Sequence, residues 1–168
     1  MAIHHYECGL AFADQAIASG LEAEGWHMKS EHLGQLCLLK DFPFLVANGN
    51  KVREYARRAL SLDPANVSCQ IILAADKIYS PRIFGGDAVA GIDLMQRALH
   101  MGALQQDDLF NIYSGIGVAY YKLHDYEAAR MWLAKALQIY PNNSFASEQY
   151  WSITDQLETS ITRVPRKP

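Results

Sequence analysis

The chain has 168 residues, half of them hydrophobic, which suits one folded unit with a sizeable core and leaves little room for a second domain. Its formal charge of -3 gives no basic field for phosphate backbones or anionic bilayers, and its apolar runs fall far short of the roughly 20 residues of a membrane-spanning helix. Nucleic acid and membrane insertion are therefore not expected, and three widely spaced cysteines, Cys8, Cys37 and Cys69, cannot build a full disulfide framework.

The first 20 residues carry Glu7 and Asp14 and no cationic run, unlike a secretory leader, so the chain reads as cytoplasmic. A periplasmic or lipoprotein-derived location would require a natural N-terminus further upstream. A helix is expected at about 3–18, where Tyr6 to Ile17 parallels Tyr126 to Leu137 in its small and apolar positions. A helix from about 24 follows, with Trp26, Cys37 and a small-residue crossing at Leu33-Gly34, and Pro43 in Asp41-Phe-Pro-Phe44 should end or kink it. The next begins near Asn48 as N-cap and ends at Arg58-Ala59-Leu60, before Asp63-Pro64. A helix at about 66–79, with Leu73-Ala74 at its crossing, leads into the turn Ser80 to Gly86, and Asp87 caps the helix that ends at Arg97-Ala98-Leu99. Helices at about 107–122 and 126–139 surround an N-cap at Asp125; Tyr140-Pro141 stops the second, and a last helix fills about 144–160.

Four of these helices, starting at Tyr6, Asn48, Asp87 and Tyr126, share a template that ends in a small residue and an aliphatic one. Between them lie helices of a second kind, and in Phe110 to Lys122 the pattern Tyr113, Ile116-Gly117 and Tyr120 is completed by Ala129, Leu133, Ala136 and Pro141. This segment resembles the tetratricopeptide repeat, whose period is about 34 residues. The resemblance implies an all-α, right-handed solenoid of about eight helices in a single domain, residues 1–162. Full pairs are expected at about 24–62, 66–101 and 107–139, flanked by single helices, with a flexible tail at 163–168. Pro81-x-x-Phe84-Gly-Gly-Asp87 is similar to a turn found in bacterial members of the family.

In that family the first helices of successive pairs line a concave face. The resemblance places Asn111, Ser114, Val118, Tyr121 and Lys122 there from one repeat, Ser68, Ile71, Ala75, Ile78 and Tyr79 from the repeat before it, and Met28, Glu31, Gln35, Leu38 and Leu39 from a degenerate one. The face is apolar and aromatic, suited to an apolar peptide or helix. Asn111 and Gly115 stand where members that grip chaperone tails carry lysine and arginine, so that clamp is not expected.

Other clusters read as structural. His4, His5 and Cys8 lack the spacing of a closed zinc site, and His5 stands at the repeat position that Asp125 holds at a helix start. Phe84-Gly-Gly-Asp87 lacks the lysine and Ser/Thr of a phosphate loop. Glu22, Glu24, Asp107 and Asp108 fall in the first turns of helices, where the dipole favours acids. No catalytic triad, metalloprotease or cofactor motif is present, so the expectation is a non-catalytic module without cofactor or metal that binds protein or peptide. The alternative is an assembly subunit of a larger complex, such as a bacterial envelope or transport machine, self-associating through terminal helices that present Leu10 and Phe12 at one end and Phe145, Tyr150, Trp151 and Ile153 at the other.

Overall fold

The computed structural model describes residues 2–102 and 104–162, with side chains of the last helix described to 159; the expected tail at 163–168 lies outside the described residues. Among the described residues the chain is all-α. Its helices are α1 (Ala2–Ala18), α2 (Glu22–Leu39), α3 (Phe42–Leu62), α4 (Val67–Tyr79), α5 (Ala88–Leu99), α6 (Gln106–Lys122), α7 (Tyr126–Ile139) and α8 (Ser144–Thr162). One 3₁₀ turn, Arg82–Phe84, sits between α4 and α5. No helix among the described residues is long and apolar enough to cross a membrane.

Contacts gather into two compact units, the first running to Leu73 and the second starting at Ala74, so the boundary falls within α4. In the first unit α1 and α2 cross at Gly25. A Cβ there would lie 2.5 Å from Ile17 Cγ1 and 2.9 Å from the Ala13 carbonyl, so only glycine allows this approach. Lys29–Asp14 and Lys40–Glu7 ion pairs, at 2.5 and 2.7 Å, flank the contact. The Ser30 hydroxyl donates to the Val52 carbonyl at 2.9 Å between α2 and α3, and Ala56 and Ala59 of α3 meet Cys69 of α4 beside Trp26 and Leu60.

Helix α3 starts at Phe42, not near Asn48: the Asp41 carboxylate accepts from the Phe44 amide at 3.1 Å, and Pro43 sits in the first turn, where its missing N–H costs nothing. Pro43 therefore starts a helix instead of ending one, and Asn48 lies inside it, donating to the Phe44 carbonyl. Gly34 is not a tight crossing, since a Cβ there would meet only Val52 Cγ1 at 3.7 Å. His5 lies inside α1, not at its start.

In the second unit α4 and α5 close on Gly91, where a Cβ would lie 2.4 Å from Ile78 Cγ1 and 3.2 Å from the Ala74 carbonyl. Helix α6 packs its glycines on both sides: Gly115 faces Met95 of α5, and Gly117 faces Leu133 and Ala129 of α7. Tyr113 and Trp132 pair at 5.7 Å between ring centroids, and Phe110 and Tyr140 at 5.2 Å. Helix α8 covers Ala129 and Leu133 with Ile153. The N-caps read at Asp87 and Asp125 accept from the Ala90 and Ala128 amides, and the Asp108 carboxylate accepts from the Gln105 amide at the start of α6.

The thiols yield a prediction. Cys8 is half-exposed, whereas Cys37 and Cys69 are buried; burial pushes both buried thiols up, that of Cys69 to about 12. Maleimide at neutral pH should label Cys8 in the folded chain and the other two only after unfolding. Folded Cys69 keeps its proton to about 12, while the unfolded thiol releases it near 9.0. Its contribution is thus intact below pH 9 and is lost as pH climbs toward 12, with a slope of at most about 1.4 kcal/mol per pH unit. Urea melts should show an alkaline fall that is shallower in Cys69→Ala; identical slopes would refute it.

Candidate protein-binding face

The residues read as a binding face are divided by packing depth. On α6, Asn111 is exposed, Tyr121 half-buried and Lys122 exposed, while Ser114 and Val118 are buried. On α4, Ser68 and Ala75 are half-buried, Ile71 and Ile78 are buried, and Tyr79 remains 46% exposed. Of the degenerate set on α2, Met28 and Gln35 are half-buried and Glu31, Leu38 and Leu39 exposed.

Within the second unit the geometry joins α4 to α6. The Lys122 ammonium donates to the Ile78 carbonyl at 2.6 Å and lies 5.8 Å from the centre of the Tyr79 ring. Ile78 is in the last turn of α4, where carbonyls have no helical partner, so Lys122 supplies a side-chain cap and places its charge at the negative end of the helix dipole. Asp87 N–H caps the neighbouring Lys77 carbonyl at 2.8 Å. Burial pushes the Tyr79 phenol up to about 12, so it stays neutral across physiological pH, and the residue as a whole is 46% exposed. Tyr121 turns the other way, packing against the cluster of Ala129, Leu133 and Ile153 and lying 5.7 Å from Tyr126. What remains accessible is Tyr79 with Lys122 at one end of the α4–α6 pair, and Asn111 about 16 Å from Lys122 along α6.

The turn after α4 sets this edge. The Pro81 carbonyl accepts from the Phe84 amide at 2.9 Å and the Gly86 amide at 3.1 Å, and Gly85 adopts a left-handed φ of 90°. The period of α6 continues into α8. Ala146 and Ile153 stand about 34 residues after Ile112 and Ala119, and all four are fully buried.

Residues 110–143 match the tetratricopeptide repeat family. The match covers α6, α7 and the turn beyond, the segment in which Gly117 and Leu133 make the crossing. A solved structure, "Crystal structure of MamA protein", is similar in fold with a TM-score of 0.51 and 17% identity, over 89% of this chain and 81% of that one. No curated protein sequence matches the chain. In the repeat frame three signature positions depart: Ser147 and Thr154 of α8 stand where α6 has Tyr113 and Tyr120, and Trp151 stands where α6 has Gly117. Sequence reasoning took Trp151 only as an apolar end residue. The 34-residue offset was the signal that identifies it as a bulky side chain at a crossing position. Ile153, expected on the outer surface of α8, is instead core, because it occupies the Ala119 position against α7.

Further down the second unit a depression of about 670 Å³ lies between α7 and α8, lined by Glu127, Arg130, Met131, Ala134 and Tyr150. His4 and Cys8 approach to 3.7 Å, yet among the described residues no cluster of three metal-ligating side chains forms.

Proposed function

We propose that the chain is a non-catalytic protein-interaction module that takes an apolar peptide or helix on the α4–α6 face. The observation that carries this reading is Tyr79: it stands 46% exposed at the end of α4 beside the Lys122 ammonium, offering an aromatic ring to a partner, and aromatic anchors of this kind dominate protein interfaces. Asn111 offers an amide for orientation, and Lys122, held against the Ile78 carbonyl, fixes the edge of the surface instead of reaching freely for a charged ligand. The fold, that of stacked helix pairs with a tetratricopeptide repeat at its C-terminal half, is one whose known use is scaffolding of other proteins. The Pro81 to Asp87 turn, similar to that of bacterial members, fits a bacterial origin for the module.

The test is a panel of amphipathic apolar peptides displayed on phage, with binders titrated against variants. Tyr79→Ala should weaken binding about tenfold, or about 1–2 kcal/mol, with little change in melting temperature. Tyr121→Ala should lower both, since its ring is part of the α7–α8 cluster. Loss of stability without loss of affinity in Tyr79→Ala would sink this assignment.

A second reading, self-association through the terminal helices, is favoured by α8, whose Phe145 and Trp151 are exposed, Trp151 at 61%. Ordinary repeat stacking of α8 on α1 of another copy meets an obstacle, because a tryptophan at the crossing position holds helices apart where glycine lets them close.

A further inference from the structure

The outer faces of α3 and α8 are complementary in both apolarity and charge. Helix α3 exposes Phe42, Leu45 and Val46 in its first turns, Phe42 at 69%, and beyond them carries four basic residues, Lys51, Arg53, Arg57 and Arg58, against one acid, Glu54. Helix α8 exposes Phe145 and Trp151 in its first half and carries three acids, Glu148, Asp155 and Glu158, with no lysine or arginine between Ser144 and Thr162. In a chain with more acids than bases, this is a sharp segregation.

Each set forms one stripe. Phe42, Val46, Gly49, Arg53 and Arg57 recur at helical spacing, as do Phe145, Glu148, Trp151, Asp155 and Glu158. At the α-helical rise Phe42 lies about 16 Å from Arg53 and about 22 Å from Arg57; Phe145 lies about 15 Å from Asp155 and about 20 Å from Glu158. Side by side in the same direction, the two helices set Phe145 on Phe42, Trp151 over Gly49, Asp155 by Arg53 and Glu158 by Arg57. Space at Gly49 suits the indole, since even a Cβ there would meet only Leu45 Cδ1 at 3.8 Å. Opposite direction would put the acids on the apolar end of α3 and the arginines on Phe145, so the pairing has one polarity.

We propose that α8 of one copy docks in parallel on α3 of a second copy. This deepens the self-association reading and rests on it, moving the acceptor from α1, which has no lysine or arginine, to α3. The contact is heterologous: each copy offers both faces, so it propagates into a ring or a filament. The attraction is carried partly by exposed ion pairs, which salt screens.

Two full-length charge reversals test it, Arg53→Glu with Arg57→Glu on α3, and Asp155→Lys with Glu158→Lys on α8, each checked by thermal melting. In sedimentation over a concentration series at low salt, wild type should assemble, and added salt should weaken assembly about tenfold or more. Each reversed protein alone should be monomeric. Mixed in equal amounts, they should assemble again, because each reversed face then meets its opposite, a rescue that neither local unfolding nor general charge repulsion explains. A monomeric wild type would overturn this pairing together with the self-association reading. Assembly that persists in the α3 reversal, or a mixture that stays monomeric, would overturn the α3–α8 pairing alone. Wild type that stays monomeric yet binds anionic phospholipid vesicles through α3 would also overturn it, identifying a lipid surface as the occupant.

Discussion

Replacing Gly117 by leucine should lower the stability of the second unit by about 3 kcal/mol or more, at the upper end of what overpacking costs. A Cβ at Gly117 would lie 2.7 Å from Leu133 Cγ, 3.2 Å from its Cδ2 and 3.3 Å from the Ala129 carbonyl. Leu133 is fully buried and shares its core cluster with Ala129 and with Ile153 of α8, so it has little room to give way. Helices α6 and α7 would have to separate, opening the contact that Tyr113 and Trp132 make beside it. Gly115→Ala, two residues away on α6, is the internal control. Its Cβ would meet the terminal methyl of Met95 at 2.9 Å, the flexible end of an unbranched chain, and the cost should stay below about 1.5 kcal/mol. Thermal and urea melts of the two variants decide the matter. Equal midpoints would show that the crossing does not depend on Gly117.

Gly86→Ala should be similarly severe for a different reason. The added Cβ would fall 1.9 Å from the Ser80 carbonyl oxygen and 2.7 Å from its carbon, and both atoms are backbone. No rotamer change relieves that clash. The turn must open, breaking the Gly86 N–H to Pro81 carbonyl bond and displacing Asp87, whose amide caps Lys77 and whose carboxylate caps α5. Loss of the caps and of the turn's hydrogen bonds, added to the clash itself, amounts to about 2–3 kcal/mol. Gly85→Ala is the comparison: its φ of 90° is strained for an L residue, but no atom lies within 4 Å of the new Cβ, so the cost should be about 1–2 kcal/mol. Hydrogen exchange should show the amides at the end of α4 and the start of α5 losing protection in Gly86→Ala more than in Gly85→Ala. The reverse order would refute the account.

The candidate face was half legible. Helical phase told which α6 and α4 residues lie on one side, but not how deep each sits. Ser114, Val118 and Ile78 share that side with Asn111 and Tyr79, yet all three are buried, Ile78 where Gly91 of α5 and Gly115 of α6 close on it. Lys122 looked like a ligand group by position. Its capping of Ile78 depends on a residue 44 positions away in the chain, which no local pattern reveals.

By itself the sequence determined the all-α class, the number of helices, most of their ends and the repeat frame, because caps, prolines and 3.6-residue periodicity are local physics. It misread the start of α3, since proline breaks a helix interior but opens a first turn, and only the Asp41 cap, formed in the folded backbone, distinguishes the two. Tertiary structure alone decided which glycines are crossings. Gly25 and Gly117 are, Gly34 is not, and the difference lies in what stands opposite across the helix interface: Ile17 and Leu133, which an added Cβ would strike at 2.5 and 2.7 Å, against Val52 at an ordinary contact distance of 3.7 Å. Burial of Ile153 and exposure of Trp151, two residues apart on α8, were settled in the same way, by the side of the helix on which α7 happens to pack.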